Sequence, residues 1–367
     1  MAKILYALSG EGYGHATRTK VILDALSKFN KLNDNNNKSD NHEIKIICGG
    51  KAYQYLSEHY KDIIKIQSMH IKYKNNKVSG LGTFLLNLKT LPEQVNSYFI
   101  IKKAIKSFRP DVIINDFENL SAYAAMFNNI PLISIGNHHV ISNAEHKISQ
   151  KYLWVLFKSL VVIRYFNPKI DYHYITSFFF PKFKNKYSSN SGYLPILIRE
   201  DIKKLKPTIK KNHVLVYQTS KTNQKLFDVL KKFKKIFIIY GFNIDKEEGN
   251  LQFKQFNEKE FYNDLSGCEA VIANGGYSLM SEALYLKKPY LAEPIKEQFE
   301  QILNAIYLQK KGYGMFVENL DERHIKEFFL RLDKYRKNMN MIDNKKIDKE
   351  FYDSIKRINM KIRELSR

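Results

Sequence analysis

The stretch Ile4-Leu5-Tyr6-Ala7-Leu8-Ser9-Gly10-Glu11-Gly12-Tyr13-Gly14-His15-Ala16-Thr17-Arg18 decides how the fold is read. The apolar run Ile4 to Leu8 is short, uninterrupted and suited to a strand buried on both faces. Three alternating glycines then turn the chain. Ala16 to Phe29 follows as a predicted helix, with Val21, Ile22, Ala25, Leu26 and Phe29 sharing one face. Glu43 to Cys48 reads as a second strand. Strand, glycine loop, helix and strand at this spacing predict a parallel sheet covered by helices.

The pattern continues outward. Val112 to Asn115 and Leu132 to Ile135 are predicted strands, each led by a proline, Pro110 and Pro131. A second series begins with a strand at Val214 to Gln218, a helix at Asn223 to Phe233 and a strand at Ile236 to Tyr240. It goes on through a strand at Ala270 to Ala273, a helix at Ser278 to Leu286 and a strand at Tyr290 to Ala292. Between the two series lies a turn-rich zone, Ser188 to Lys211, and the boundary is placed near Pro207. The expected class is therefore α/β, with two Rossmann-like domains at 1–206 and 207–342 and a helical tail at 343–367. A length of 367 residues fits two domains at roughly 150 residues each.

Composition narrows the function classes. With 44% hydrophobic residues the chain can bury large cores, which excludes wholesale disorder. The net charge is +23, but it comes from fifty Lys and only ten Arg. Lysine is a hydrated point charge, whereas site-specific phosphate and base recognition leans on arginine forks. The basic residues are spread along the chain and form no nucleic-acid module, so nucleic acid is not the expected partner. Part of the excess is read as the background of a Lys/Asn/Ile-rich composition, a bias visible in the Asn-rich tract 33–41. Cys48 and Cys268 stand far apart without neighbours at ligand spacing, so neither a disulfide framework nor a metal site is expected, and a reducing cytoplasm is the natural compartment. The start of the chain offers too short an apolar run for a signal peptide. The longest apolar stretch, Tyr152 to Phe166, is interrupted by Lys158 and Arg164 and is too short to span a bilayer.

Two loops carry chemistry. The first, Gly10 to Arg18, follows a strand and opens a helix, where backbone N–H groups attract anions. Its spacing is neither the dinucleotide fingerprint nor a Walker A loop. His15 stands at the carboxyl end of a parallel strand, where ligands bind in open α/β folds, and is a candidate general base. The second constellation runs from Asn274 through Gly275, Gly276, Tyr277, Ser278 and Glu282 to Lys288-Pro289 and then Pro294 to Asn304. Two glycines and a serine at a helix N-terminus can cradle a diphosphate without a metal. Glu282, one turn on, can accept from ribose hydroxyls, and Glu300 and Gln301 suit sugar hydroxyls. Taken alone, each glycine loop also reads as a tight βα turn.

At this point the sequence resembles a family. Asn274 to Gly314 is similar to the donor-binding region of inverting GT-B glycosyltransferases, among them the peptidoglycan N-acetylglucosamine transferase and plant UDP-glycosyltransferases. The loop Gly10 to Arg18, the strand end Asn115-Asp116-Phe117-Glu118, the region Gly136-Asn137-His138-His139 and the string Glu282 to Gly314 resemble bacterial and archaeal glycosyltransferase-family proteins labelled as teichoic acid biosynthesis proteins. The resemblance implies two domains facing across a cleft and a metal-independent inverting transfer from a nucleotide diphosphate sugar, a UDP-sugar foremost. Gly275, Gly276, Tyr277 and Ser278 would hold the diphosphate, Glu282 the ribose, and Glu300 with Gln301 the sugar. His15 would deprotonate the acceptor, with Asp116 orienting it or substituting for it. Ser220 and Lys221 are expected to meet leaving-group charge, and Gly12, Gly14, His138 and His139 to line the acceptor side. Asn274 departs from plant relatives, many of which carry His there. Glu293 and Glu300 stand one residue too close for the retaining E-x7-E pattern.

The acceptor is expected to be a hydroxyl, with a cell-envelope lipid or glycan as the leading class. Gly80 to Leu91, which follows Lys72, Lys74 and Lys77, and Tyr152 to Phe166 set apolar residues beside cations and suit docking on anionic lipid at the inner face of the plasma membrane. A buried helix is the competing reading of the second stretch. A UDP-sugar 2-epimerase of the same fold and a basic nucleic-acid-binding protein are the alternative functions. The first lacks extra carboxylates for elimination and re-addition; the second lacks a module.

Overall fold

The computed structural model describes residues 1–33, 42–70, 73–74, 77–208, 212–218 and 224–366. Ser220 and Lys221, and with them Lys72 and the start of the helix expected at Asn223, lie outside the described residues. Contacts divide the chain into two units: Met1–Lys72, Gly80–Leu197 and Lys345–Arg367 in one, Tyr73–Ser79 and Ile198–Asn344 in the other. Residues 198–206, grouped by sequence with the first half, thus cluster with the second.

In the first unit the strands are β1 (Lys3–Leu8), β2 (Glu43–Cys48) and β3 (Ile64–Lys65). After the small hairpin β4 (Tyr73–Lys74) and β5 (Lys77–Val78) come β6 (Val112–Asp116), β7 (Leu132–Gly136), β8 (Tyr172–Thr176) and β9 (Ser191–Leu194). The sheet order is β3-β2-β1-β6-β7-β8-β9, and every pairing is parallel. Strand β1 explains its own apolar run. Ile4, Tyr6 and Leu8 enter one core while Leu5 and Ala7 enter another, so both faces are covered. The tail forms helix Asn344–Leu365, and Ile355, Ile358 and Ile362 pack at helical spacing into the core that holds Ile4 and Leu26.

The second unit repeats the plan with β10 (His213–Tyr217), β11 (Ile236–Tyr240), β12 (Lys246–Glu248), β13 (Leu251–Phe253), β14 (Ala270–Ala273), β15 (Tyr290–Ala292) and β16 (Gly314–Phe316). Its order is β12-β13-β11-β10-β14-β15-β16, parallel except for the β12–β13 edge hairpin. In each sheet the order reverses direction at one place, between β1 and β6 and between β10 and β14. Crevices at the carboxyl ends of such strands are where open α/β sheets bind ligands. His15, Asp116 and the Gly275-Gly276 pair lie at the carboxyl ends of β1, β6 and β14. Helix Leu153–Phe166 is not the buried helix of the competing reading. Only Ile163 of its residues is buried, and Leu153, Trp154, Phe157, Val161, Val162 and Tyr165 are exposed.

Candidate active site

The first switch point holds a charged cluster. Helix Tyr13–Asn33 begins inside the glycine loop, so Gly14 lies in its first turn, while Gly12 turns the chain just ahead at φ +73°. His15 and Arg18, three residues apart, share one face of that helix. Both reach Asp116 at the end of β6. His15 Nδ1 lies 2.9 Å from Asp116 Oδ1, Arg18 Nη2 donates to the same oxygen at 2.7 Å, and Arg18 Nε donates to Oδ2 at 2.9 Å. Asp116 is fully buried. Burial alone would raise its pKa, but the Arg18 guanidinium and the His15 ring outweigh it and hold the carboxyl well below the usual carboxylate range. His15 Nδ1 also lies 3.1 Å from Arg18 Nη2, which can only donate; the nearer contact is the ionised carboxylate, which can only accept, so the proton of His15 is assigned to Nδ1 and Nε2 is left as the proton acceptor.

The turn that presents Asp116 is strained and pinned. Phe117 adopts φ +58°, a conformation worth of order 1–3 kcal/mol of strain in a bulky residue. Its ring stacks on Phe166 at 4.6 Å. Asn115 Nδ2 donates to the Glu118 carbonyl at 2.6 Å, and Glu118 caps helix Asn119–Phe127 by accepting from Leu120 and Ser121. Gly136 completes the packing, since a Cβ there would lie 2.8 Å from the His138 ring and 3.2 Å from Asp116 Oδ1. Glu11 of the glycine loop is held by His70, whose Nδ1 lies 2.7 Å from Glu11 Oε1.

His138 and His139 are not where an acceptor surface was expected. Both are buried, in a stack whose ring centroids are 4.1 Å apart for His138–His139 and 4.5 Å for His139–His173. Among the described residues no hydrogen-bond partner reaches His138 Nε2, His139 Nε2 or His173 Nδ1. Burial pulls the His138 pKa down to about 3 and that of His173 to about 4, and holds His139 well below its ordinary value. The strand end turns inward here, so these rings pack as neutral core groups.

The second switch point is built from backbone. Strand β14 leads through Asn274, Gly275 and Gly276 into helix Tyr277–Tyr285, whose N-cap Gly276 offers no side-chain cap. Its first N–H groups therefore receive no side-chain cap from that position, the setting in which helix N-termini take anions. The glycine loop is held from behind. Asn304 Nδ2 donates to the Gly275 carbonyl at 3.1 Å and Tyr290 Oη to the Asn274 carbonyl at 2.5 Å. Gly275 is obligatory because a Cβ would come 2.4 Å from the Gln301 carbonyl. Ser278 is half-buried in the first turn, and Glu282 is buried one turn on. Gln301 uses its side chain on its own loop, with Oε1 accepting from the Ile295 N–H at 3.0 Å and Nε2 donating to Gln298. Glu300 is half-buried in the first turn of helix Phe299–Lys310.

Two arginines carry roles that sequence spacing did not assign. Arg18 was visible in the loop pattern, and its position one turn from His15 was the available signal. Arg199 gave no signal, because its partner Glu282 lies 83 positions away.

Two parallel α/β units with glycine-loop sites at their switch points define a GT-B glycosyltransferase. Solved structures share that fold: the calicheamicin glycosyltransferase CalG4 at a TM-score of 0.64 and 16% identity, covering 100% of this chain and 98% of that one. The kitacinnamycin glycotransferase aligns at 0.69 and 12% identity, covering 100% and 99%. The profile of Glycosyl transferase family 1 matches residues 2–333, and the chain belongs to that family. An uncharacterized glycosyltransferase of Methanosarcina mazei is 24% identical over 342 residues, 85% of this chain and 84% of that protein. The UDP-N-acetylglucosamine–N-acetylmuramyl-(pentapeptide) pyrophosphoryl-undecaprenol N-acetylglucosamine transferase of Clostridium novyi is 32% identical over 128 residues, 31% of this chain. The chain spans 36% of that enzyme's length, and 42% of its Clostridium botulinum counterpart.

Proposed function

We propose that this glycosyltransferase moves a sugar from a nucleotide diphosphate sugar, a UDP-sugar foremost, to a hydroxyl acceptor of the cell envelope, with inversion and without a metal ion. The observation that carries the reading is His15, held through Nδ1 on a buried, ionised Asp116 so that Nε2 is left as base. In the proposed step the acceptor O–H gives its proton to Nε2 while its oxygen attacks the anomeric carbon. The bond from that carbon to the diphosphate oxygen breaks, and the electron pair leaves on the diphosphate. Asp116 steadies the imidazolium and keeps its tautomer; with both oxygens engaged by Arg18 and His15, it orients rather than substitutes.

The donor is assigned to the second unit. Gly275, Gly276, Tyr277 and Ser278 at an uncapped helix N-terminus suit the diphosphate and its developing charge. Glu282 suits the ribose, and Glu300 and Gln301 the sugar; Ser220 and Lys221 remain assigned to leaving-group charge. The clostridial relatives' names, with a UDP-sugar donor and a lipid-linked acceptor, support both substrate classes.

An anionic membrane surface is the proposed site of work, at the cytoplasmic face of the plasma membrane. Trp154 is 66% exposed and Phe157 55% exposed on a helix that also carries exposed Arg164 and follows the short turn with exposed Lys151, and Leu85 and Leu88 are exposed on helix Gly80–Lys89. Apolar side chains among cations, on a chain of net charge +23, complement anionic lipid. Among the described residues no helix is long and apolar enough to cross a membrane.

A thermal-shift screen of UDP-, GDP-, dTDP- and CMP-sugars tests the donor. A UDP-sugar at a hundred times its Kd should stabilise the fold by about 2.7 kcal/mol. No response to any nucleotide, with a salt-steep response to oligonucleotides, would replace the reading with a nucleic-acid binder. Flotation with anionic liposomes tests the surface: Trp154→Ser with Phe157→Ser should abolish binding, and an absence of wild-type binding at low salt removes the membrane from the proposal.

A further inference from the structure

Arg199 lies within the second unit, where its guanidinium meets Glu282, Glu258 and the Tyr262 ring. Its Nε donates to Glu282 Oε1 at 2.8 Å, and its Nη2 lies 2.6 Å from the same oxygen. Nη1 donates to Glu258 Oε1 at 3.0 Å, and the guanidinium carbon sits 4.6 Å from the centre of the Tyr262 ring. Tyr262 also donates its hydroxyl to Glu258, which ties the support together. Both contacts to Glu282 fall on Oε1. Among the described residues no donor reaches Oε2, and Oε2 is not a sealed, partnerless atom of the interior.

This asymmetry has a chemical consequence. An arginine fork that met both oxygens would leave one lone pair on each of them. Here one oxygen is engaged twice, and the other retains its lone pairs. The side chain is buried and would otherwise be free to rotate or protonate. Its burial raises the carboxyl pKa, and Arg199 acts against that rise. A planar, five-donor group stacked on an aromatic face is pre-organised for such a task in a way that a lysine is not.

We propose that Arg199 is a positioning residue for nucleotide recognition, holding Glu282 by Oε1 so that Oε2 is the oxygen that accepts from a ribose hydroxyl of the donor. The inference rests on the assignment of Glu282 to the ribose. It adds that ribose recognition belongs to the Arg199–Glu282 pair and is lost when either member is altered.

The test compares UDP with 2′,3′-dideoxy-UDP by titration calorimetry on the full chain. A hydrogen bond to a charged group is worth about tenfold or more in affinity, so wild type should prefer UDP by about that factor. Glu282→Gln and Arg199→Gln should each bring the two affinities close together, with the affinity for dideoxy-UDP within about twofold of wild type. Arg199→Lys keeps the charge but not the fork, and should lose most of the preference while folding normally. If both Arg199 variants keep the wild-type preference, or weaken both nucleotides equally, Arg199 acts on the phosphates or the fold and the inference fails alone. If Glu282→Gln keeps the preference with Arg199 intact, the ribose assignment itself fails and takes the inference with it.

Discussion

Asp116 and Glu282 are both buried carboxylates at a sheet switch point, and each faces an arginine, yet their acidities move in opposite directions. Asp116 receives Arg18 on both oxygens and His15 on one, and is held well below the usual range. Glu282 receives Arg199 on one oxygen only, feels Glu258 nearby, and burial prevails, so its pKa is raised. The difference teaches that burial alone does not assign a role. The number of oxygens engaged separates a carboxylate that is fully committed to its neighbours from one with an oxygen still to offer.

The largest expected effect falls on the committed carboxylate's partner. His15→Ala should lower turnover by about a thousandfold, within the usual range for a general base, while calorimetry finds UDP affinity unchanged. Unchanged turnover would remove His15 from the mechanism. Stability should then separate the two carboxylates. Asp116→Asn leaves the Arg18 charge buried without its partner, and a loss of about 3–5 kcal/mol is expected in denaturant melts. Glu282→Gln should cost well under half of that, because Arg199 keeps Glu258 and no raised carboxyl remains to be ionised. Equal losses would break the comparison.

Acid should expose the third set of buried groups. His138 and His173 have folded pKa values of about 3 and about 4 against an ordinary value of 6.5. Above pH 6.5 both states are neutral and the groups contribute nothing; below it the unfolded chain gains protons that the folded chain refuses. Stability should therefore fall from pH 6.5 down to about pH 4 for His173 and about pH 3 for His138, by on the order of 2 kcal/mol per ring at pH 5. Asp116 acts in a lower window, since its stabilisation is complete above its ordinary pKa near 3.8 and erodes only below it. Glu282 has the opposite sign: its raised pKa means that stability declines as pH rises through the folded value. His173→Asn should flatten the acid limb in melts at pH 5 against pH 7; an unchanged limb would show that the ring is not the group that titrates. The smallest effect is expected at Ser278→Ala, a severalfold loss of UDP affinity from one neutral hydrogen bond.

Much of this molecule was legible because its signals are local. Ile4 to Leu8 is apolar at every position because both faces of β1 are covered, and the glycines mark where the chain must turn after it. Gly275 had to be glycine for the Gln301 carbonyl to approach, and the motif showed the glycine without showing that reason. His138 and His139 misled because a polar pair at a strand end reads as surface until their packing on Phe117 and His173 is seen. The apolar stretch Tyr152 to Phe166 left two readings open, since its composition does not say which face is covered; the structure shows most of its apolar residues exposed.

Two βα series, the glycine turns at the carboxyl ends of their strands and the residue types gathered there were readable from the chain alone, because hydrophobic period and turn chemistry act over a few residues. Only the tertiary structure decided which charge meets which. His15 finds Asp116 across 101 positions and Arg199 finds Glu282 across 83. Those pairings follow from strand order within each sheet, and strand order is set by which apolar faces can be buried together, a property of the whole folded unit.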